Sequence, residues 1–153
     1  MQARPTTEQI LEDLAREVRE AIIPAVGDPA LVVNLEMMEQ LLHTCAVRSA
    51  NEIAWMAAEC ADMEAFAADV AERLGDAATA SALDAYRSGR SESLALDDQV
   101  ENYHLAGEAF GAAIEAVFAG DDADLSARCA ELVRARRDTE RELRPGFYFP
   151  GRS

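Results

Sequence analysis

The two histidines of this sequence, both in stretches with helical periodicity, are the side chains best suited to acid–base or metal chemistry. His43 follows Glu39 by four residues and Glu36 by seven, while His104 follows Glu101 by three and precedes Glu108 by four. These steps set a carboxylate beside each imidazole on one helix surface. Glu-x-x-His is also the spacing by which carboxylate-bridged di-iron bundles present ligands from facing helices. Glu36, Glu39, His43, Glu101, His104 and Glu108 therefore form a candidate site for a divalent metal or for proton transfer. A metal-free alternative is a small-molecule pocket between the two long helices, lined by Glu39, His43, Tyr103, His104 and Gly107.

Chance weighs against both. With 29 acidic residues in 153, a histidine finds a carboxylate at one of its four nearest helical positions about half the time. The di-iron pattern also needs a second Glu-x-x-His, and Gln40 stands where His43 would require glutamate. Ordinary boundary residues are the commoner outcome, and no cofactor is expected unless a divalent metal binds. Arg128, Arg134, Arg136, Arg137, Arg141 and Arg144 gather near the end of the chain and suit a phosphate or carboxylate; pairing with nearby acids is the plainer reading. No glycine-rich phosphate loop, nucleophile elbow, Cys-x-x-Cys pair or dinucleotide fingerprint occurs. The sequence therefore points away from an enzyme.

The elements that would carry these residues are helices. Pro29 to Cys60 is the longest run without a breaker, opened by Asp28 as cap and Pro29 at the first helical position. Leu31, Leu35, Met38, Leu42, Cys45, Ala46, Ile53, Met56 and Cys60 share one face, which reads as core. Val33, Met37, Leu41 and Trp55 make a second apolar strip opposite. A helix apolar on two sides is sandwiched in a bundle or shared with a second subunit. Periodicity leaves open whether it continues past Cys60 or bends near Ala61.

Before it, Ile10, Leu11, Leu14, Val18 and Ile22 predict a first helix over Thr7 to Ile23, broken by Pro24 and Gly27 and antiparallel to the central one. After it come Met63, Phe66, Val70 and Leu74 up to Gly75, then a short alanine-rich helix with Leu83 and Tyr86 closed by Gly89. Arg90 to Ser93 reads as a loop. Leu96 to Ala119 is the second long helix, with a seam at Val100, Tyr103, Gly107, Phe110, Ile114 and Val117. Gly107 and Gly111 weaken such a helix, so close approach of a neighbour is their expected use. A last helix runs from Ala123 to about Leu143 with Leu125, Cys129, Leu132 and Val133 inward. The fold expected is all-α, a single-domain bundle of about five helices around one long central helix.

Arg144 to Ser153 carries Phe147, Tyr148 and Phe149, aromatics expected to dock on the bundle or on a neighbouring subunit. With Trp55, Met37 and Leu41 they are the candidate interface residues, the partner being a second copy (a homodimer) or an enzyme. A net charge of −15 repels nucleic-acid phosphate and anionic membranes, and no apolar run approaches the roughly 20 residues that span a bilayer. Neither nucleic acid nor membrane is an expected partner. Cys45, Cys60 and Cys129 read as buried free thiols, and the charged opening lacks a secretory apolar region, so a cytoplasmic protein is expected. All basic residues are arginine, a bias that suits a GC-rich genome.

Arg4-Pro5-Thr6, Ile10-Leu11 and Pro24 ahead of the long helix resemble the start of small helical bacterial proteins of uncharacterised function. These are encoded near acyl-CoA dehydrogenases and aminoglycoside-phosphotransferase-like proteins. The resemblance covers about the first quarter of the chain and implies an accessory role beside a metabolic enzyme, with no catalytic residues to carry over.

Overall fold

A computed structural model describes residues 4–143. Its elements are α1 (Thr7–Glu17), a π-helical segment (Val18–Ile22), α2 (Ile23–Ala25), α3 (Pro29–Leu74), α4 (Ala77–Gly89), α5 (Leu96–Ala119) and α6 (Ala123–Leu143), with no strand among the described residues. The first three follow one another without interruption, so the described residues form five helical rods and the fold is all-α. Contacts group it into two compact units: the chain up to Glu52 with the end of α6 from Thr139, and Ile53–Asp138.

In the first unit, Thr6 opens α1 with a capping box: its Oγ1 accepts from the Gln9 backbone N–H (3.2 Å) and its own N–H donates to Gln9 Oε1 (3.0 Å). Pro24 does not end the helix at Ile23 as its type suggested; the helical path continues to Ala25. A proline ring clashes with the carbonyl four residues back, and the wider π turn over Val18–Ile22 opens the backbone just where that clash would fall. The chain then turns at Val26, whose backbone is extended. Asp28 Oδ1 accepts from the Ala30 N–H (2.9 Å) and starts α3.

α3 does not stop at Cys60 but runs on to Leu74. It ends because Gly75 adopts φ +64°, a left-handed conformation that suits glycine, while its N–H donates to the Ala71 carbonyl (3.0 Å). The other rods tie to this helix through charged side chains: Arg19 to Glu39 in the first unit; Arg87 to Glu64, Arg128 to Asp69 and Arg136 to Glu59 in the second.

The second unit holds the large core. Met63, Phe66 and Val70 of α3 are sealed from solvent, with Leu83 and Tyr86 of α4, Phe110 and Val117 of α5, and Leu125 of α6. Phe66 and Phe110 meet edge-on, centroids 5.6 Å apart. α4 starts on Asp76, whose Oδ2 accepts from both the N–H and the hydroxyl of Thr79 (2.7 Å each). α6 starts on Asp122, whose Oδ1 accepts from the backbone N–H groups of Asp124 (3.1 Å) and Leu125 (3.0 Å).

The seam of α5 differs from the expected one. The buried positions are Gln99, Asn102, Ala106, Ala109, Phe110, Ala113 and Val117, so the inner face is turned by about one residue and lined by alanines, leaving Val100 half exposed. Gln99 and Asn102 are satisfied there because they brace the loop before α5. Asn102 exchanges two 2.8 Å bonds with the backbone of Ser91, and Gln99 Nε2 donates to the Ser93 carbonyl. The close approach expected at Gly107 and Gly111 is found instead at Gly89, where a Cβ would lie 3.1 Å from Leu105 Cδ1.

Burial in the first unit is distributed otherwise. Ala15, Val18, Ala46 and the carboxylate-bearing Glu39 are its buried residues, while Ile10, Leu14, Leu31, Met38 and Leu41 stand about half exposed. The expected core face of α3 is therefore corrected in this unit. Leu31, Met38 and Cys45 are exposed, Leu35 and Leu42 are half-buried, and the buried line passes through Glu39 and Ala46. The rest of this unit shields only a narrow line of α3 through Glu39 and Ala46 and leaves the flanks uncovered.

Candidate functional site

Two places carry features beyond packing, one in each unit. The first is the outer face of α5, where Val100, Tyr103, His104, Gly107 and Glu108 line an open depression of about 450 Å³. Three of the residues read from sequence as a ligand pocket, Tyr103, His104 and Gly107, are thus brought together. They share this face because steps of three and four residues bring side chains round to one side of a helix. His104 is exposed, and its Nε2 stands 3.4 Å from Glu108 Oε1. Among the described residues no heavy atom outside the helix's own backbone and the adjoining residues lies within 4 Å of a Cβ placed on Gly107 or Gly111, and Gly107 leaves room in the floor of the depression.

Tyr103 anchors one wall. Its hydroxyl donates to Glu59 Oε2 (2.6 Å) and accepts from Arg136 Nη2 (2.8 Å), and Arg136 Nε donates to the same Glu59 oxygen (3.2 Å). The Arg136 guanidinium also lies over the Tyr103 ring (5.5 Å) and the Phe110 ring (5.7 Å). Burial raises the Tyr103 phenol above its ordinary value, and its bond to the Glu59 carboxylate adds to the rise. A phenol held this firmly protonated supplies a rigid wall rather than a base. Glu59 and Arg136 were not singled out together from the sequence: they are 77 positions apart, and no local spacing marks that pair.

The other half of the candidate set lies in the first unit. Glu39 is buried and paired with Arg19; Glu36 is half-buried and His43 exposed. Glu101, like Glu108, is exposed on α5. Among the described residues no group of three or more His, Cys, Asp or Glu side chains is placed to hold a metal ion. The arginines of α6 pair chiefly outward to other elements, Arg128 with Asp69 and Arg136 with Glu59, and Arg137 lies 3.9 Å from Asp138. Arg144 and the aromatics Phe147, Tyr148 and Phe149 lie outside the described residues.

The second place is the uncovered flank of α3 in the first unit. Val33, Met37 and Leu41, read from sequence as a second apolar strip, are 38%, 38% and 47% exposed, and Leu31 and Met38 extend the strip at 51% and 53%. Trp55, expected on the same strip, lies half-buried in the second unit. At the strip's border Gln40 Oε1 is buried without a donor among the described residues, a state that sequence could not reveal because it depends on what packs around the side chain. Of the three free thiols, Cys60 and Cys129 are buried as expected, but Cys45 is exposed. Burial raises the thiol pKa of both Cys60 and Cys129. No described helix is long and apolar enough to cross a membrane. Comparison with family models, with curated proteins and with solved structures returns no match.

Proposed function

We propose that the chain is a helical interaction protein, an accessory without catalysis of its own, which docks a protein partner on the uncovered flank of α3. The observation that carries this reading is the exposed strip Leu31, Val33, Met37, Met38 and Leu41. Large apolar side chains that stand in water while alanines are buried a turn away are costly unless another surface covers them. A cytoplasmic bacterial setting suits the three free cysteines.

Native mass spectrometry of the protein purified from its own host tests the reading. The expected result is a stoichiometric protein complex that disappears in a Met38→Glu/Leu41→Glu variant. A chain that carries no protein partner, or one whose partner is indifferent to the two substitutions, refutes it.

A second reading is supported by the depression on α5, where Tyr103, His104 and Gly107 do converge. It would take a small, largely apolar molecule against Val100 and the Tyr103 ring, with His104 and Glu108 at its polar edge. A retained small-molecule mass lost in His104→Ala, with the fold intact, would favour it.

A further inference from the structure

The docking face described above is self-complementary, and we infer that its occupant is a second copy of this chain, the two first units joining as a symmetric four-helix assembly of two α1–α3 pairs. The inference rests on the docking reading and adds the identity of the partner.

Two observations carry it. The first is area. Eight large apolar side chains of the first unit, from Ile10 and Leu14 on α1 to Leu41 on α3, are 38–53% exposed. At on the order of 80 Å² each, the five on the α3 strip present roughly 400 Å², within the range of the largest patch a monomer leaves bare and about half of the ~800 Å² per partner of a standard interface, to which Ile10, Leu14 and Ile22 would add.

The second is charge. Between Pro29 and Val47 the charged residues are Glu36 and Glu39, which are half-buried and buried. Taking about 100° per residue, both fall on the opposite side of the helix from Met37, Met38 and Leu41. A chain of net charge −15 repels its own copy at long range, so a surface for self-association must keep carboxylates out of the contact. This strip does so. The α1 side of the pair carries the exposed acids Glu12, Asp13, Glu17 and Glu20, so the repulsion left between two copies is of the kind that salt screens.

The test is sedimentation equilibrium of the full-length chain from 1 to 200 μM at about 0.05 and 1 M NaCl, with circular dichroism as the check on folding. The expected result is a dimer whose dissociation constant falls at least threefold at high salt, because screening removes like-charge repulsion. Met38→Glu/Leu41→Glu, at exposed positions that leave helicity unchanged, should weaken it at least 100-fold. Phe118→Glu, at a 79% exposed position in the other unit, should leave it alone. A monomer at every concentration and salt overturns the inference, as does a dimer insensitive to the double substitution. If the chain is monomeric alone but a heterologous complex from the host is lost in the same variant, the docking reading stands and the second copy is wrong; if no complex of either kind is found, both fail.

Discussion

Replacing both Gly107 and Gly111 with alanine should stabilise this protein, although paired glycines inside a helix ordinarily mark a close contact. In α5 each is half-buried, and among the described residues nothing outside the helix's own backbone and the adjoining residues lies within 4 Å of the added Cβ, so no steric cost opposes the change. Alanine is better than glycine in a helix interior by about 1 kcal/mol, chiefly because glycine leaves the unfolded chain more freedom to lose. The pair should therefore contribute roughly 2 kcal/mol, or on the order of 4–8 °C in melting temperature for a chain of this size. Thermal unfolding followed at 222 nm reads this directly. Gly89→Ala is the internal contrast: its Cβ would press on Leu105 Cδ1 at 3.1 Å, so it should give no such gain. A double variant that melts at or below the wild-type temperature would refute the argument, since some atom must then occupy the space that the structure leaves open. If the depression on α5 binds a molecule, the stabilised variant should also bind it less well.

The Glu59–Tyr103–Arg136 cluster gives a second set of outcomes. Tyr103→Phe should cost about 1 kcal/mol in denaturant unfolding and Arg136→Met about 2, because the latter removes a charge-assisted partner from a mostly buried Glu59. The double variant should cost less than the two together, since both donors use the same carboxylate oxygen. The raised Tyr103 phenol favours the neutral form in the folded state, so its contribution is full below the ordinary phenol range and is lost as pH rises through it; Tyr103→Phe should flatten the alkaline limb of stability. At the acid end, hydrogen bonds from Thr79, backbone first and then hydroxyl, hold Asp76 below the usual carboxylate range. Asp122 is held down by the Leu125 N–H first and by Arg73 as well. Depressed carboxylates stabilise above their unfolded range and lose that contribution as pH falls through and below it, so Asp76→Ala and Asp122→Ala should lower the melting temperature at pH 7 and bring it nearer to wild type at pH 2–3.

Much of the fold was legible in local patterns. Asp28-Pro29 and Gly75 mark helix ends by chemistry that acts within a turn or two, and α5 falls on the expected Leu96 to Ala119, stopping at Gly120. Pro24 misled because a five-residue π segment can absorb the clash that its ring creates, and such a turn leaves no mark in composition. The two-sided grease of α3 was also apparent, along with the grouping of Tyr103, His104 and Gly107 on one helix face. Which side of that grease meets the core was decided only by tertiary packing. Residue types state what each helix would bury, but Leu31 and Met38 are bare while Ala46 is covered, because burial follows where neighbouring elements lie in space and not side-chain type. The Glu59–Tyr103–Arg136 contact and the donorless Gln40 have the same origin: each depends on groups distant along the chain converging in space, and sequence spacing carries no information on that convergence.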